Sequence, residues 1–124
     1  MNETNEELKA AVDHKRYVRA SALAASLEQP AEALDRLRKG ALWQMSAVFR
    51  NAAGSRILAE QYGMSKKEVE GFLRKRSEEE KERGNAKILE PTFDCLTSRY
   101  LTFDEWLDHL MKKWDKLADS SMGG

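Results

Sequence analysis

SRILAEQYGMSKKEVEGFLR, residues Ser55 to Arg74, decides the fold. Leu58, Tyr62, Met64, Val69 and Phe72 stand where two successive helices would pack onto a core, at helical rather than alternating spacing. Gly63 breaks the run once. A glycine there can take the positive φ of a tight turn without the steric cost that a side chain brings. Ala59 is small at the point where two such helices would cross closely. Ser65 with Glu68 three residues later is a capping box, satisfying N–H groups that the first turn of a helix leaves unpaired. The stretch reads as one helix opened by Gly54-Ser55 and closed at Tyr62, a turn at Gly63, and a second helix from Ser65 to about Glu82. Arg83-Gly84-Asn85 then stops it.

Working outward, the same signals predict helices on both sides. Thr4 and Glu7 form a capping box ahead of Leu8, Ala11 and Val12. A helix over Arg19 to Leu27 would turn Leu23, Ala24 and Leu27 inward. Pro30 suits the first position of the next helix, which would bury Ala33, Leu34 and Leu37 and stop at Gly40. Ala41 to Ala53 reads as helix, with Leu42, Met45, Phe49 and Ala52 on one face and Trp43 and Val48 widening it. A strand forming the edge of a wing is its rival. Ala86 to Ser98, which holds Pro91, looks irregular. Thr102 and Glu105 form a third capping box, with Leu101 and Trp106 placed as a hydrophobic staple. Trp106, Leu107, Leu110, Met111, Trp114 and Leu117 make a continuous apolar stripe. The expected fold is all-α: a compact multi-helix domain of five to seven helices over residues 1–119 that contains the helix-turn-helix, with a loose tail at 120–124.

Bulk properties agree. A chain of 124 residues is about one domain, and 41% apolar with 34% charged is a globular composition. Prolines are only two, which favours helix through a sequence rich in Ala, Leu, Glu, Lys and Arg. Cys95 is the one cysteine, so no internal disulfide forms. No apolar run approaches the roughly 18 residues of a membrane span, and MNETNEELK is polar and acidic, unlike a signal peptide. These point to the cytoplasm and away from membranes. Net charge is zero, which counts against a non-specific DNA coater. The charge is uneven, however: Arg50 to Arg76 holds seven basic residues against three acidic ones, a local +4.

On these residues Ser55–Arg74 resembles the twenty-residue helix-turn-helix of bacterial DNA-binding regulators, over about a sixth of the chain. In that family the second helix enters the major groove of double-stranded DNA. The resemblance implies a small, sequence-specific transcriptional regulator and, carried over residue by residue, DNA contacts from Ser65, Lys66, Lys67, Glu70, Gly71 and Arg74. Arg56 would meet the flanking phosphates. Glu68 and Glu70 depart from a strongly basic recognition helix. Such regulators usually dimerise, and Trp106, Leu110, Met111 and Trp114 would be the seam of a homodimer. The same stripe could instead close the core of the monomer.

Arg19 to Lys39 repeats the pattern about 35 residues upstream, more weakly. Leu23, Ala24, Leu27, Leu34 and Leu37 correspond to Leu58, Ala59, Tyr62, Val69 and Phe72. Glu28 stands where the turn glycine should be.

Little points to catalysis. His14 and His109 are far apart, there is no phosphate-binding glycine loop and no nucleophile elbow, and Cys95 beside Phe93 and Leu96 reads as a buried structural thiol. Neither an enzyme, a cofactor nor a metal is expected. The other reading is a helical protein-interaction module, an adaptor or antirepressor that does not bind DNA. Zero net charge and the acidic run Glu78-Glu79-Glu80 favour it.

Overall fold

Asn51 opens the first helix of the central corner. Its side-chain oxygen accepts from Gly54 N at 2.8 Å, satisfying one of the donors that a helix start leaves free. In the computed structural model, which describes residues 2–94 and 97–123 and the side chains of 6–94 and 97–117, this helix, α4, covers Ala52–Gln61. It therefore begins before the expected Gly54-Ser55. Ser55 is instead buried, and its hydroxyl lies 2.8 Å from that of Ser46. The helices before it are α1 (Asn2–Asp13), α2 (Tyr17–Ser26) and α3 (Ala31–Trp43). Those after it are α5 (Lys66–Glu82) and α6 (Phe103–Gly123). The fold is all-α with six α-helices among the described residues. A small antiparallel hairpin adds β1 (Thr92–Asp94) and β2 (Arg99–Leu101), in register Thr92 to Leu101, Phe93 to Tyr100 and Asp94 to Arg99. Cys95 and Leu96 lie outside the described residues, and with them the expectation of a buried thiol.

The chain divides into two compact units, residues 1–44 and 45–124. In the first, α2 packs against both α1 and α3. Its core is built from small residues, Ala11, Ala20, Ala24 and Ala41, together with Leu42. α1 starts at Asn2, so Thr4 lies inside the helix rather than at its cap. α3 does not stop at Gly40. The ring of Tyr17 packs over that glycine, at 3.5 Å from where a Cβ would stand, and the helix continues to Trp43. Leu42 is therefore fully buried, whereas Ala33, Leu34 and Leu37 are only half-buried.

Residues Gln44–Val48 form a π-helical turn, so the stretch expected as helix or wing strand is neither a regular α-helix nor a strand. The wider winding turns Val48 and Phe49 outward, at 64% and 60% exposed. A face read at 3.6 residues per turn had placed both inside.

In the second unit α4 and α5 both pack on α6. Thr102 and Glu105 close their capping box as expected, Thr102 N donating to the carboxylate and Glu105 N to the hydroxyl. Leu101, Phe103, Trp106, Leu107, Leu110, Met111 and Trp114 are all buried, with Leu58, Ala59, Val69 and Leu73 facing them from the other helices. Leu73, and not Phe72, is the buried partner of Val69, because α5 turns its core face along Val69, Leu73, Ser77 and Glu80. Segment 86–98 is less irregular than expected: a short 3-10 turn, Ala86–Leu89, leads into the hairpin. α6 runs as helical backbone to Gly123.

Candidate functional site

The corner at Tyr62–Ser65 follows from four residues. Tyr62 N donates to Leu58 O and closes α4, Gly63 N reaches Glu60 O, and Met64 N reaches Ala59 O. This closure requires φ +69° at Gly63, the left-handed region where a Cβ would meet the following carbonyl oxygen. Ser65 then caps α5. Its hydroxyl accepts from Glu68 N at 3.2 Å, and Ser65 N donates to the Glu68 carboxylate at 3.1 Å. Both groups read as a capping box are spent in it, so Ser65 positions the start of the helix.

The residues assigned to DNA contact separate into three sets. Lys66 and Lys67 are exposed at the N-terminal end of α5 and make no ion pair among the described residues. Gly71, one turn on from Lys67, is exposed, and a Cβ built there meets nothing within 4 Å. Lys75 continues the same stripe and is exposed too. Sequence reasoning passed over Lys75, although the i, i+4, i+8 spacing of Lys67, Gly71 and Lys75 announces the face. That face lies opposite the buried line Val69, Leu73 and Ser77.

Glu70 and Arg74 form the second set, and each is occupied by the other. Arg74 Nε and Nη2 both donate to Glu70 Oε2, at 3.0 and 2.9 Å, and Nη2 reaches Asp108 Oδ1 on α6 at 2.8 Å. The hydrogen bonds that it donates to Asp108 and then to Glu70 raise the guanidinium above its ordinary pKa. Arg74 thus ties α5 to α6, its one charge shared between the carboxylates of Glu70 and Asp108.

Arg56 is the third case. Its side chain is 16% exposed, pairs with Glu60 at 3.1 Å and lies over the Trp114 ring at 4.7 Å, a cation–π contact that a desolvated site strengthens. Its Nε is buried without an acceptor. Arg56 is held mostly buried in the second unit by Glu60 and Trp114. The local +4 read from Arg50 to Arg76 therefore overstates what is presented to a ligand, since Arg56, Arg74 and Arg76 all pair with carboxylates.

The four residues read as a dimer seam are at most 7% exposed in the single chain: Trp106 3%, Leu110 2%, Met111 7% and Trp114 3%. They close a core, and no second copy can reach them. Glu80 of the acidic run is likewise structural. Glu80 is 8% exposed and accepts from Arg76, Arg83 and Asn85. Arg83 pairs with Glu80, and Glu78 meets Lys81. Asp104 binds Lys81 and Ser77 across the α5–α6 contact.

No three His, Cys, Asp or Glu side chains among the described residues are grouped to hold a metal ion. His109 lies half-buried beside Trp106, Leu110 and Lys113. No helix among the described residues is long and apolar enough to cross a membrane. Against known proteins, no family model, curated protein or solved structure matches the chain.

Proposed function

We propose that this protein binds double-stranded DNA, as a small transcriptional regulator of the cytoplasm, through the exposed stripe of α5. The observation that carries the reading is Gly71. A glycine in the middle of an exposed helix costs roughly 0.5–1 kcal/mol relative to alanine, and here no neighbour lies close enough to require it. Folding alone gives no reason for a bare patch of backbone at that place. Close approach of a ligand does. The patch is bracketed by Lys66, Lys67 and Lys75, whose ammonium groups are available to phosphates or guanine edges. The pairing of Glu70 with Arg74 offsets part of the repulsion that its carboxylate would otherwise exert on a phosphate. A dimer reading two half-sites belongs to this proposal, through a surface other than the Trp106–Trp114 stripe.

The test is selection from a random-sequence duplex pool at near-physiological salt, followed by anisotropy titration. Wild-type protein should enrich a sequence. Replacing Lys66 and Lys67 by alanine should leave folding intact and weaken binding, and each lost phosphate contact should lower the salt slope by about one unit. No enriched sequence, with residual binding unchanged in the double variant, overturns the proposal.

One observation favours the second reading, a protein-interaction module. Phe93 and Tyr100 pair edge-to-face at 5.3 Å on the hairpin yet stay 49% and 70% exposed. Aromatic anchors of this kind are frequent in protein interfaces. A stoichiometric protein partner recovered after nuclease treatment, and lost on Tyr100→Ala, would support that reading over DNA.

A further inference from the structure

A cleft of about 460 Å³ opens in the second unit between the start of α4 and strand β1, within the size range of small-molecule sites. Phe49 and Phe93 supply its apolar walls, both substantially exposed, and Ala52 and Ala53 supply one side. Two charged residues also line it, Arg50 and Asp94.

Arg50 is held in an unusual way. It follows the π-helical turn Gln44–Val48 and itself takes φ +49°. Wide turns and left-handed non-glycine residues both cost free energy, and both concentrate at functional sites. Its Nε donates to Ala47 O at 3.0 Å, its Nη1 donates to Leu101 O at 3.2 Å, and the guanidinium lies 5.4 Å over the Phe103 ring. These contacts fix the group without neutralising it. Among the described residues no carboxylate pairs with Arg50, and Nη2 donates to nothing. Partial burial lowers its pKa, so the charge is kept at a cost. Asp94 is fixed through one oxygen only. Its Oδ2 accepts from Thr97 N at 3.0 Å and from Thr97 Oγ1 at 2.8 Å, which leaves Oδ1 without a donor among the described residues.

We infer that this cleft binds a small zwitterion with an apolar body, an amino acid with an aromatic side chain, its carboxylate on Arg50, its ammonium on Asp94 and its ring between Phe49 and Phe93. A plain anion would meet the Asp94 carboxylate unfavourably, and a plain cation would meet Arg50. Only a ligand carrying both charges satisfies both groups, and only an apolar body replaces water against the two rings. The inference does not rest on DNA binding, since none of its residues belongs to the α5 stripe.

The test is an NMR titration of the whole protein with L-phenylalanine, phenylacetate and phenethylamine, following backbone amides. L-phenylalanine should shift the amides of residues 49–53 and 92–94 saturably. It should bind about tenfold more tightly than either analogue, because each analogue lacks one charge-assisted hydrogen bond. Asp94→Asn should abolish the preference over phenylacetate, and Arg50→Met the preference over phenethylamine. If Arg50→Met fails to fold, Phe93→Ala, at an exposed position, should weaken L-phenylalanine binding several-fold with the fold retained. Absence of saturable shifts up to about 10 mM, equal affinity for the three compounds, or shifts confined to other residues overturns the inference.

Discussion

The corner between α2 and α3 and the corner between α4 and α5 are built alike, 35 residues apart, one in each compact unit. In the first, Leu27 N reaches Leu23 O, Glu28 N reaches Ala25 O and Gln29 N reaches Ala24 O. In the second, Tyr62, Gly63 and Met64 repeat those three bonds onto Leu58, Glu60 and Ala59. Ala24 and Ala59 are both fully buried, and Glu28 at φ +54° stands where Gly63 has φ +69°. The backbone solution is one, but its chemistry differs. The first corner starts its second helix on Pro30, with no side-chain cap, and continues through Ala31 and Glu32. The second starts on a full capping box and continues through Lys66 and Lys67 to an exposed glycine. The comparison teaches that the turn itself belongs to architecture. What sets the α4–α5 corner apart is what its second helix presents, exposed lysines and an exposed glycine.

The comparison can be broken at the shared alanines first. Ala59→Leu should destabilise by roughly 1–3 kcal/mol, because overpacking a filled site forces neighbours off their rotamers. Ala24→Leu should cost a similar amount. Chemical denaturation measures both, and a neutral result at either position would mean that the two corners are not packed alike.

The turn residues come next, and they should respond with opposite sign. Gly63→Val should cost about 1–2 kcal/mol, since a β-branched residue resists φ > 0. Glu28→Gly should stabilise by up to about 1 kcal/mol, because a strained left-handed residue is relieved there. Thermal melts of the two variants should therefore move in opposite directions.

Acid should act on the second unit through smaller, partly screened contributions. The Glu80 carboxyl is held below its ordinary value by the hydrogen bond from Asn85, against burial, with Arg76 adding to the effect. Burial alone would raise Asp104, but Lys81 and Ser77 outweigh it and hold it below its ordinary value too. A carboxyl whose folded pKa is depressed contributes stability that is present above its unfolded pKa and is lost as pH falls through the folded one. Stability should therefore decline below the ordinary carboxylate range, and Asp104→Asn should flatten that decline in melts recorded against pH.

Much of this fold was legible in the residues. The capping boxes at Ser65–Glu68 and Thr102–Glu105, the turn at Gly63 and the apolar stripe of α6 are local patterns, and each appears where it was expected. Gly40 misled because its role is set by the ring of Tyr17, a contact that no local pattern records. The π-helical turn at Gln44–Val48 misled because a 3.6-residue period is the wrong ruler for it. Among the candidate site residues, Lys66, Lys67 and Gly71 are exposed as expected, whereas Arg56 and Arg74 are held by Trp114, Glu60, Glu70 and Asp108. Which cations are free depends on partners from other helices, and sequence spacing along one helix does not give them. Arg50 escaped for the same reason.

The central claim, that the exposed stripe of α5 is a ligand-binding face, is tested most directly by the affinity of Gly71→Ala for the DNA sequence that wild-type protein selects. Alanine should raise the melting temperature, as the helix gains roughly 0.5–1 kcal/mol, while the added methyl group obstructs close approach and weakens binding several-fold. A more stable variant that binds the selected DNA as tightly as wild type, or more tightly, would contradict the account.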